Sequence, residues 1–367
     1  MKKTLLAIAA LAATSGAFAQ SSVTLYGVVD ASVENIAATS RVSRVSSDNL
    51  ATSRLGFKGS EDLGGGLRAN FTLETALKTD TGANGGGTAR FFDRAAWVGL
   101  QGGFGELRLG RIDSSIGALA GDTKLLGAQP YDDLKIAPTR AGTNYRRVDN
   151  SITYLLPSFV SGLTAQLQYS TAANGFNAGT GAIDTTVAGT EATNNNAGKS
   201  YGLNVKYVAG PFLAGVGYLS ARDEQFATAG NQKANATLVF AGYDFGVVKL
   251  TGYYDTETRA FANTDRLVVA GLKVGVPIGS DFLITASIAE ASNVVANANA
   301  ALGGDHDDAV ISSLKATYSL SKRTSVYGLF TNVNNEGRAN LGISGGGVTV
   351  AAGQSARGLA FGIAHAF

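Results

Sequence analysis

Cysteine is absent from the 367-residue chain, and proline is scarce at five residues, whereas glycine contributes 48. Because no disulfide can form, an exported protein with this sequence must be stable through packing and hydrogen bonding alone. A glycine-rich disordered chain would normally lack large aromatic residues. Here 13 tyrosines and 17 phenylalanines are spread along the chain. The composition therefore indicates a chain that folds.

The chain also lacks an excess of charge of either sign. It carries 30 Lys and Arg against 28 Asp and Glu, and two of the lysines are Lys2 and Lys3. Without that N-terminal pair the formal net charge is zero. Nucleic-acid-binding domains are usually distinctly basic, so this balance argues against a nucleic-acid partner.

The N-terminus has the pattern of a cleaved export signal. Two lysines precede a short apolar run over residues 4–13, and the small-x-small motif of residues 17–19 follows. We expect residues 1–19 to be a signal peptide and the mature chain to begin at Gln20. The alternative is an N-terminal membrane anchor, but the apolar run is shorter than the ~20 residues that cross a bilayer.

Long apolar runs are missing from the rest of the chain. A typical apolar block, residues 267–272, is short and lies between Arg266 and Lys273. Only helices and closed barrels span membranes, so a membrane location would have to rest on strands. A soluble all-β sandwich is the competing interpretation at this point.

Segments of about ten residues that alternate in polarity recur along the chain, as in transmembrane barrels. In residues 67–77, odd positions from Leu67 to Leu73 are apolar and even positions from Arg68 to Glu74 are polar, which predicts a strand with one apolar and one wet face. Further strands are predicted near 199–209, 212–222, 234–245, 247–258, 266–276, 281–292, 308–319, 324–333 and 355–367. A short helix is possible within 112–128.

The connections between these segments alternate between short and long. Short turns such as 64–66, 102–105 and 210–211 alternate with the long stretches 35–51, 78–88, 112–142, 172–198, 223–233, 293–307 and 334–354. This sorting is typical of an outer-membrane barrel and not of a sandwich. The breaks predict about sixteen antiparallel transmembrane strands in one domain, residues 20–367, with both termini at the periplasmic end. A barrel of that width has a water-filled lumen.

Three stretches carry a family resemblance: residues 22–30 (SVTLYGVVD), 53–64 (SRLGFKGSEDLG) and 94–111 (RAAWVGLQGGFGELRLGR). They resemble the general trimeric porins of Gram-negative bacteria, especially the betaproteobacterial branch. The resemblance implies a homotrimer in the outer membrane that passes inorganic ions and small hydrophilic solutes by passive diffusion. It also implies a third loop, about 112–142, that folds into the lumen and narrows it.

The resemblance implies a constriction in which arginines face loop acids. Arg54 and Arg94 match its basic side, and Arg147 or its neighbour Arg146 is the third; alternation with Ser151 favours Arg147 as the inward one. Arg108 is a further basic candidate. Acidic candidates on the loop are Asp122, Asp132 and Asp133, although the family's usual Pro-Glu-Phe-Gly-like motif is missing there.

Arginines are frequent in the N-terminal half, which suggests a weak anion preference. For three of them, an equally good interpretation is a loop or rim position beside an aspartate instead of a position in the channel. These are Arg41, Arg44 and Arg140. The alternative function is a substrate-selective porin for an anionic or nutrient solute, with loop 172–198 or 112–142 forming the site.

The last residue, Phe367, ends an alternating strand. A terminal Phe there resembles the signal read by the outer-membrane assembly machinery, which is therefore an expected partner together with the lipid bilayer. His365 is expected at the membrane rim. Trp97, the single tryptophan, is expected in an interfacial aromatic girdle and not at a stacking site.

Other chemistry is weakly represented. Residues 305–308 (DHDD) suggest a solvated external loop more than a metal site, and no cofactor, metal or catalytic group is expected. An enzyme is disfavoured because His306 and His365, the only histidines, have no evident partner. A secretion translocator or an energy-coupled transporter would carry a passenger or plug domain before the first strand.

Overall fold

A computed structural model describes residues 22–85, 90–123, 146–171, 199–223, 232–259, 266–294, 307–343 and 348–367. It is built almost entirely of strands: β1 Ser22–Ala37, β2 Arg41–Ser47, β3 Arg54–Gly64, β4 Leu67–Ala76, β5 Ala95–Gly102, β6 Gly105–Asp113, β7 Arg147–Leu155, β8 Leu163–Ser170, β9 Ser200–Ala209, β10 Phe212–Asp223, β11 Gln232–Asp244, β12 Lys249–Arg259, β13 Leu267–Ile278, β14 Phe282–Ser292, β15 Ala309–Ser319, β16 Thr324–Asn335 and β17 Ala356–Ala366. Within the described ranges there is one helix, α1, which spans Ser115–Thr123. The strands predicted from residue 199 onward agree with the observed ones to within a few residues.

The sheet closes on itself. Consecutive strands pair antiparallel, and β1 pairs with β17 from Val28↔Ala366 to Ala37↔Arg357. Seventeen strand segments form sixteen barrel strands, because β2 and β3 lie end to end along one partner: β2 pairs with the second half of β1 and β3 with its first half. The predicted sixteen-stranded antiparallel barrel is confirmed. The prediction of a long loop over 35–51 is wrong, since most of that stretch is the β1–β2 hairpin.

The outer and inner faces of the wall have opposite chemistry. Large apolar side chains on the outer face are exposed, for example Val98 at 56% and Leu109 at 48%. Polar side chains such as Thr153 and Glu106 point inward and are buried. This arrangement inverts that of a soluble protein and is typical of a barrel whose outer surface contacts lipid. In the part of the chain that the structure describes, no helix is long and apolar enough to cross a membrane.

Helix α1 lies inside the barrel. It begins directly after β6 and packs on the inner wall formed by β8 to β12, where Ile116 and Leu119 join the buried cluster that contains Leu219. The Ser115 hydroxyl donates to the Tyr218 carbonyl at 2.7 Å, and the Asn204 amide donates to the Ser115 carbonyl at 2.7 Å. The described start of the third loop therefore turns inward, as predicted, and the predicted helix within 112–128 is present. Residues 124–145 lie outside the described residues.

An inward bulge interrupts the second barrel strand. Residues 48–53 leave the sheet between β2 and β3, and their position is held by the buried carboxylate of Asp30 on β1. That carboxylate accepts hydrogen bonds from the backbone N–H groups of Leu50 and Ala51, at 3.0 and 2.8 Å, and from the Tyr327 hydroxyl at 2.6 Å. Because these donors come from the bulge and from β16, the Asp30 carboxylate ties both of them to β1.

The chain terminus completes the closure. The backbone of Phe367 exchanges two hydrogen bonds with Gly27, at 3.1 and 3.2 Å. Its ring covers Gly27, where a Cβ would come within 2.3 Å of the ring. His365 hydrogen-bonds Thr324 at 2.9 Å and is exposed at the same end of the barrel. The role of Phe367 as an assembly signal stays a prediction.

Candidate channel constriction

Glu74 lies at the centre of the first arginine group. It is on the inner face of β4, and its carboxylate contacts Arg94 at 2.5 Å, Arg54 at 3.6 Å and the Tyr26 hydroxyl at 2.9 Å. Arg54 begins β3, whereas Arg94 directly precedes β5 and donates its backbone N–H to the Glu74 carbonyl. The structure therefore brings Arg54 and Arg94 together, as the family resemblance implied, but around a wall carboxylate that was not named as a site. In the sequence, the position of Glu74 on the polar face of residues 67–77 already indicated that its side chain faces the lumen.

Asp113 organises a second group. Its Oδ1 lies 3.6 Å from Arg146 Nε and 3.2 Å from Arg147 Nε. Both candidate arginines thus approach the same carboxylate. The register explains why alternation from Ser151 does not separate them. A bulge lies between Gly110↔Ser151 and Ile112↔Val148, and Asn150 within it has a φ of 48°. Extra residues change which face later side chains occupy, so alternation does not extend past the bulge.

Asp149 holds a third pair. Arg90 contacts its Oδ2 at 2.7 Å, and Arg111 pairs with its Oδ1. Neither arginine was named as a site from the sequence, because Arg90 precedes β5 and Arg111 enters the β6–β7 bulge, where the period of two no longer holds.

The three groups share one stoichiometry: each carboxylate contacts two arginines. A further acid nearby, Asp93, accepts the Ala76 backbone N–H at 2.8 Å. The groups are close to one another, since Arg111 donates to the carbonyl of Asp93, the residue before Arg94, and Asp113 pairs with Arg147 across the sheet. We name this set the arginine cluster: Arg54, Arg90, Arg94, Arg111, Arg146 and Arg147 around Glu74, Asp113 and Asp149. It has more positive than negative groups even when Asp93 is included.

The acidic residues expected on the third loop have different positions. Asp122 is on α1 and forms an ion pair with Lys206 of β9 at 3.2 Å, because the helix docks on the β8–β12 wall. Among the residues that the structure describes, no ion pair joins Asp122 to an arginine. Asp132 and Asp133 lie outside the described residues, as does Arg140. Arg44 lies within β2 and pairs with the buried Glu34 of β1 at 2.6 Å, so it is neither in a loop nor beside an aspartate.

Arg108 stands apart from the arginine cluster. It is on the inner face of β6, where its Nη2 contacts Glu106 at 2.6 Å and its guanidinium carbon lies 4.2 Å from the centroid of the Trp97 ring. Trp97 is therefore not in an outer aromatic girdle, and that prediction is wrong. On β5, Val98 faces outward, so the neighbouring Trp97 must face the lumen. The alternation of residues 94–100 already contained this signal.

The described part of the acidic stretch 305–308 forms contacts that hold neighbouring loops together. Asp307 is buried and forms a salt bridge with Arg338, and Asp308 accepts the backbone N–H of Asn293 at 2.9 Å. Asp305 and His306 lie outside the described residues. In the described ranges, no group of three or more His, Cys, Asp or Glu residues has an arrangement suited to a metal ion.

Known proteins resemble the chain over its whole length. A sequence profile described as Gram-negative porin matches residues 7–338. Outer membrane porin protein 32 of Delftia acidovorans is 33% identical, with 100% of each chain covered. An outer membrane porin of Bordetella pertussis is 30% identical over 89% of this chain and 93% of its own. The solved anion-selective porin from Comamonas acidovorans superposes with a TM-score of 0.77 at 29% identity, covering 95% of this chain and 100% of its own.

Sequence and architecture agree. Sixteen antiparallel strands close around an inward-folded helix, the outer surface is apolar, and the inner wall carries charged groups. The matching family and structures are channels and not enzymes. The chain belongs to the Gram-negative porin family and forms an outer-membrane channel through which solutes pass by passive diffusion.

Proposed function

We propose that the channel prefers anions to cations and that the arginine cluster sets this preference. The observation that carries the proposal is the two-to-one stoichiometry: Glu74, Asp113 and Asp149 each contact two arginines. The relative from Comamonas acidovorans, described as anion-selective, supports the same direction.

The physical argument concerns charge beside a narrow aqueous path. Rings or rows of fixed charge lower the free energy of counter-ions in a pore and raise that of co-ions. A unit charge acts on an ion about 8 Å away with roughly 0.5 kcal/mol when the effective dielectric constant is that of water, and with more when the path is partly desolvated. A small excess of guanidinium groups therefore produces a weak preference and not an absolute filter.

Arg54, Arg94 and Arg147 are proposed as the basic side of the constriction, with Arg146 beside them. Their partners on the wall, Glu74 and Asp113, keep the arginines fixed and neutralise half of their charge. The acidic side of the constriction is proposed to include these wall carboxylates in addition to Asp122. Arg108 is proposed to act at a separate position, described below.

We further propose that the channel is a homotrimer assembled through the outer faces of the first strands. Small outward residues there, Ala31 and Ala69, permit close approach of a second copy, whereas Gly27 is covered by the Phe367 ring. Phe367 is proposed to be the signal through which the assembly machinery of the outer membrane recognises the chain.

The test of anion preference is a planar-bilayer recording in a salt gradient. We expect stepwise conductance and a reversal potential with the sign of an anion-preferring pore. Arg94→Glu should shift the reversal potential toward cations. The matched control is Arg323→Glu, the same charge change in the exposed turn between β15 and β16, and it should shift the potential less. A cation-preferring wild-type channel, or equal shifts in the two variants, would overturn the proposal.

A further inference from the structure

Trp97 lies on the inner wall of the channel, where it is partly exposed. Its cross-strand partners are Thr72 on β4 and Gly110 on β6, both small residues. Neither neighbour has a side chain large enough to cover the ring from along the wall. An aromatic ring on the aqueous side of a barrel cannot contact lipid, but it can contact solutes in the channel.

Arg108 lies over this ring and is held in place. Its guanidinium carbon is 4.2 Å from the ring centroid, and Glu106 holds Nη2 at 2.6 Å. Asn70 in turn donates to Glu106 at 3.0 Å. The side chain crosses Gly99, where a Cβ would lie only 3.0 Å from Arg108 Cγ. The guanidinium is therefore fixed over the ring by contacts on several sides, while its side chain remains 24% exposed.

The Trp97 ring and the Arg108 guanidinium together form what we call the shelf. The shelf is adjacent to the arginine cluster. Trp97 is two residues from Ala95, and Ala95 pairs directly with Glu74. A solute at the shelf thus lies beside the Arg54–Glu74–Arg94 group. Within the shelf itself Arg108 and Glu106 cancel in charge, so the shelf supplies flat surface and the cluster supplies the attraction for an anionic group.

We propose that Trp97 and Arg108 form a weak binding site for small planar aromatic carboxylates. The aromatic ring of the solute stacks on the indole and guanidinium surfaces, both of which favour flat π systems. The carboxylate points toward the arginine cluster. Weak attachment suits a channel, because a solute must bind well enough to enter and loosely enough to leave. The site depends on the lumen being open to solutes, but not on the anion preference proposed above.

Tryptophan fluorescence tests this directly, since Trp97 is the single tryptophan of the chain. The probe is 4-nitrobenzoate, a planar carboxylate that quenches indole emission, added to the full-length channel in detergent. We expect saturable quenching with a dissociation constant on the order of 1 mM. The reference is a free tryptophan amide in the same solution, for which quenching should rise without saturation. Quenching that does not saturate in the protein overturns the proposal.

Variants separate stacking from general charge. The double variant Arg108→Gln, Glu106→Gln conserves net charge and should weaken 4-nitrobenzoate binding at least fivefold. Lys315→Gln, which removes a lumen-facing charge on β15, is the control and should change binding by less than twofold. Equal affinity in the double variant and the wild type overturns the proposal. Only variants that run on gels as folded barrels are compared.

A second measurement does not use fluorescence. In planar bilayers, benzoate should reduce the single-channel current more than cyclohexanecarboxylate, which has the same charge but no flat ring. Trp97→Phe should keep this difference and Trp97→Leu should abolish it; equal block by the two acids in the wild type overturns the proposal. The result is independent of the reversal potential. A channel without anion preference that still binds 4-nitrobenzoate saturably refutes the proposed selectivity and keeps this site.

Discussion

Nε of Arg94 lies 2.5 Å from Oε1 of Glu74, so this arginine of the proposed constriction is held by a carboxylate of the barrel wall. The same carboxylate also contacts Arg54 and the Tyr26 hydroxyl. An ionised carboxylate that accepts several hydrogen bonds fixes the geometry of its partners. Glu74 therefore positions two guanidinium groups and neutralises half of their charge. A substitution of Glu74 tests how this charge balance affects ion selectivity.

Replacing Glu74 with Gln should strengthen the anion preference. The substitution removes one negative charge from the arginine cluster and keeps an acceptor oxygen for Arg94. At about 8 Å in a water-like dielectric the change favours a passing anion by roughly 0.5 kcal/mol and disfavours a cation by as much, which is about fivefold in the permeability ratio. The reversal potential in a salt gradient measures it. The control is Glu336→Gln, in the described loop after β16. A shift toward cations in Glu74→Gln would contradict the proposed arrangement.

Asp30 should be important for stability. Asp30→Ala leaves two backbone N–H groups and the Tyr327 hydroxyl without their acceptor in a buried place, which should cost about 2–4 kcal/mol. Tyr327→Phe removes one donor only and should cost about 1 kcal/mol. Urea unfolding of the barrel in detergent, followed by the gel shift between folded and unfolded forms, gives both values. Equal midpoints for Asp30→Ala and wild type would show that the bulge is held by other contacts.

Gly202 should be required for the docking of α1. A Cβ at this position would come 2.2 Å from Ser115 Oγ, so Gly202→Val should push the helix off the wall. Overpacking of this kind typically costs about 1–3 kcal/mol. Liposome swelling with sugars of increasing size reports the change in pore size. Gly252→Val is the control, since a Cβ there meets nothing within 4 Å. Permeation unchanged in Gly202→Val would mean that α1 does not limit the pore.

The proposed trimer should resist SDS and fall to a monomer on boiling. Ala69→Glu, on the outer face of β4, should dissociate it, because a charge would enter the proposed interface. Ala286→Glu, on the outer face of β14, carries the same cost of a charge toward lipid and should leave the oligomer intact. Mobility on gels before and after boiling distinguishes the two. A wild-type chain that ran only as a monomer in mild detergent would refute the assembly.

The mature protein should begin at Gln20. N-terminal sequencing of the chain recovered from outer membranes checks this directly. A chain that retains Lys2 and Lys3 would instead indicate the uncleaved anchor.

Much of the barrel could be predicted because its physics is local. Each strand must show lipid an apolar face and water a polar one, so the period of two is present in residues 67–77 before any contact is known. The outward position of Val98, and hence the inward position of Trp97, follows from the same rule. The short helix after β6 was also predictable, although the surface on which it docks was not.

The sequence by itself determined the number and kind of strands, and it predicts the export signal. The choice of Arg54 and Arg94 came from the family resemblance. Only the tertiary structure decided which charges meet. Asp113 and Asp149 form their ion pairs with arginines beside the bulge at Asn150. Asp122 forms an ion pair with Lys206 because α1 packs against β9. These pairings join residues far apart in the chain or beyond an irregularity in the sheet. Neither a period of two nor a motif contains that information, because both depend only on neighbours along the chain.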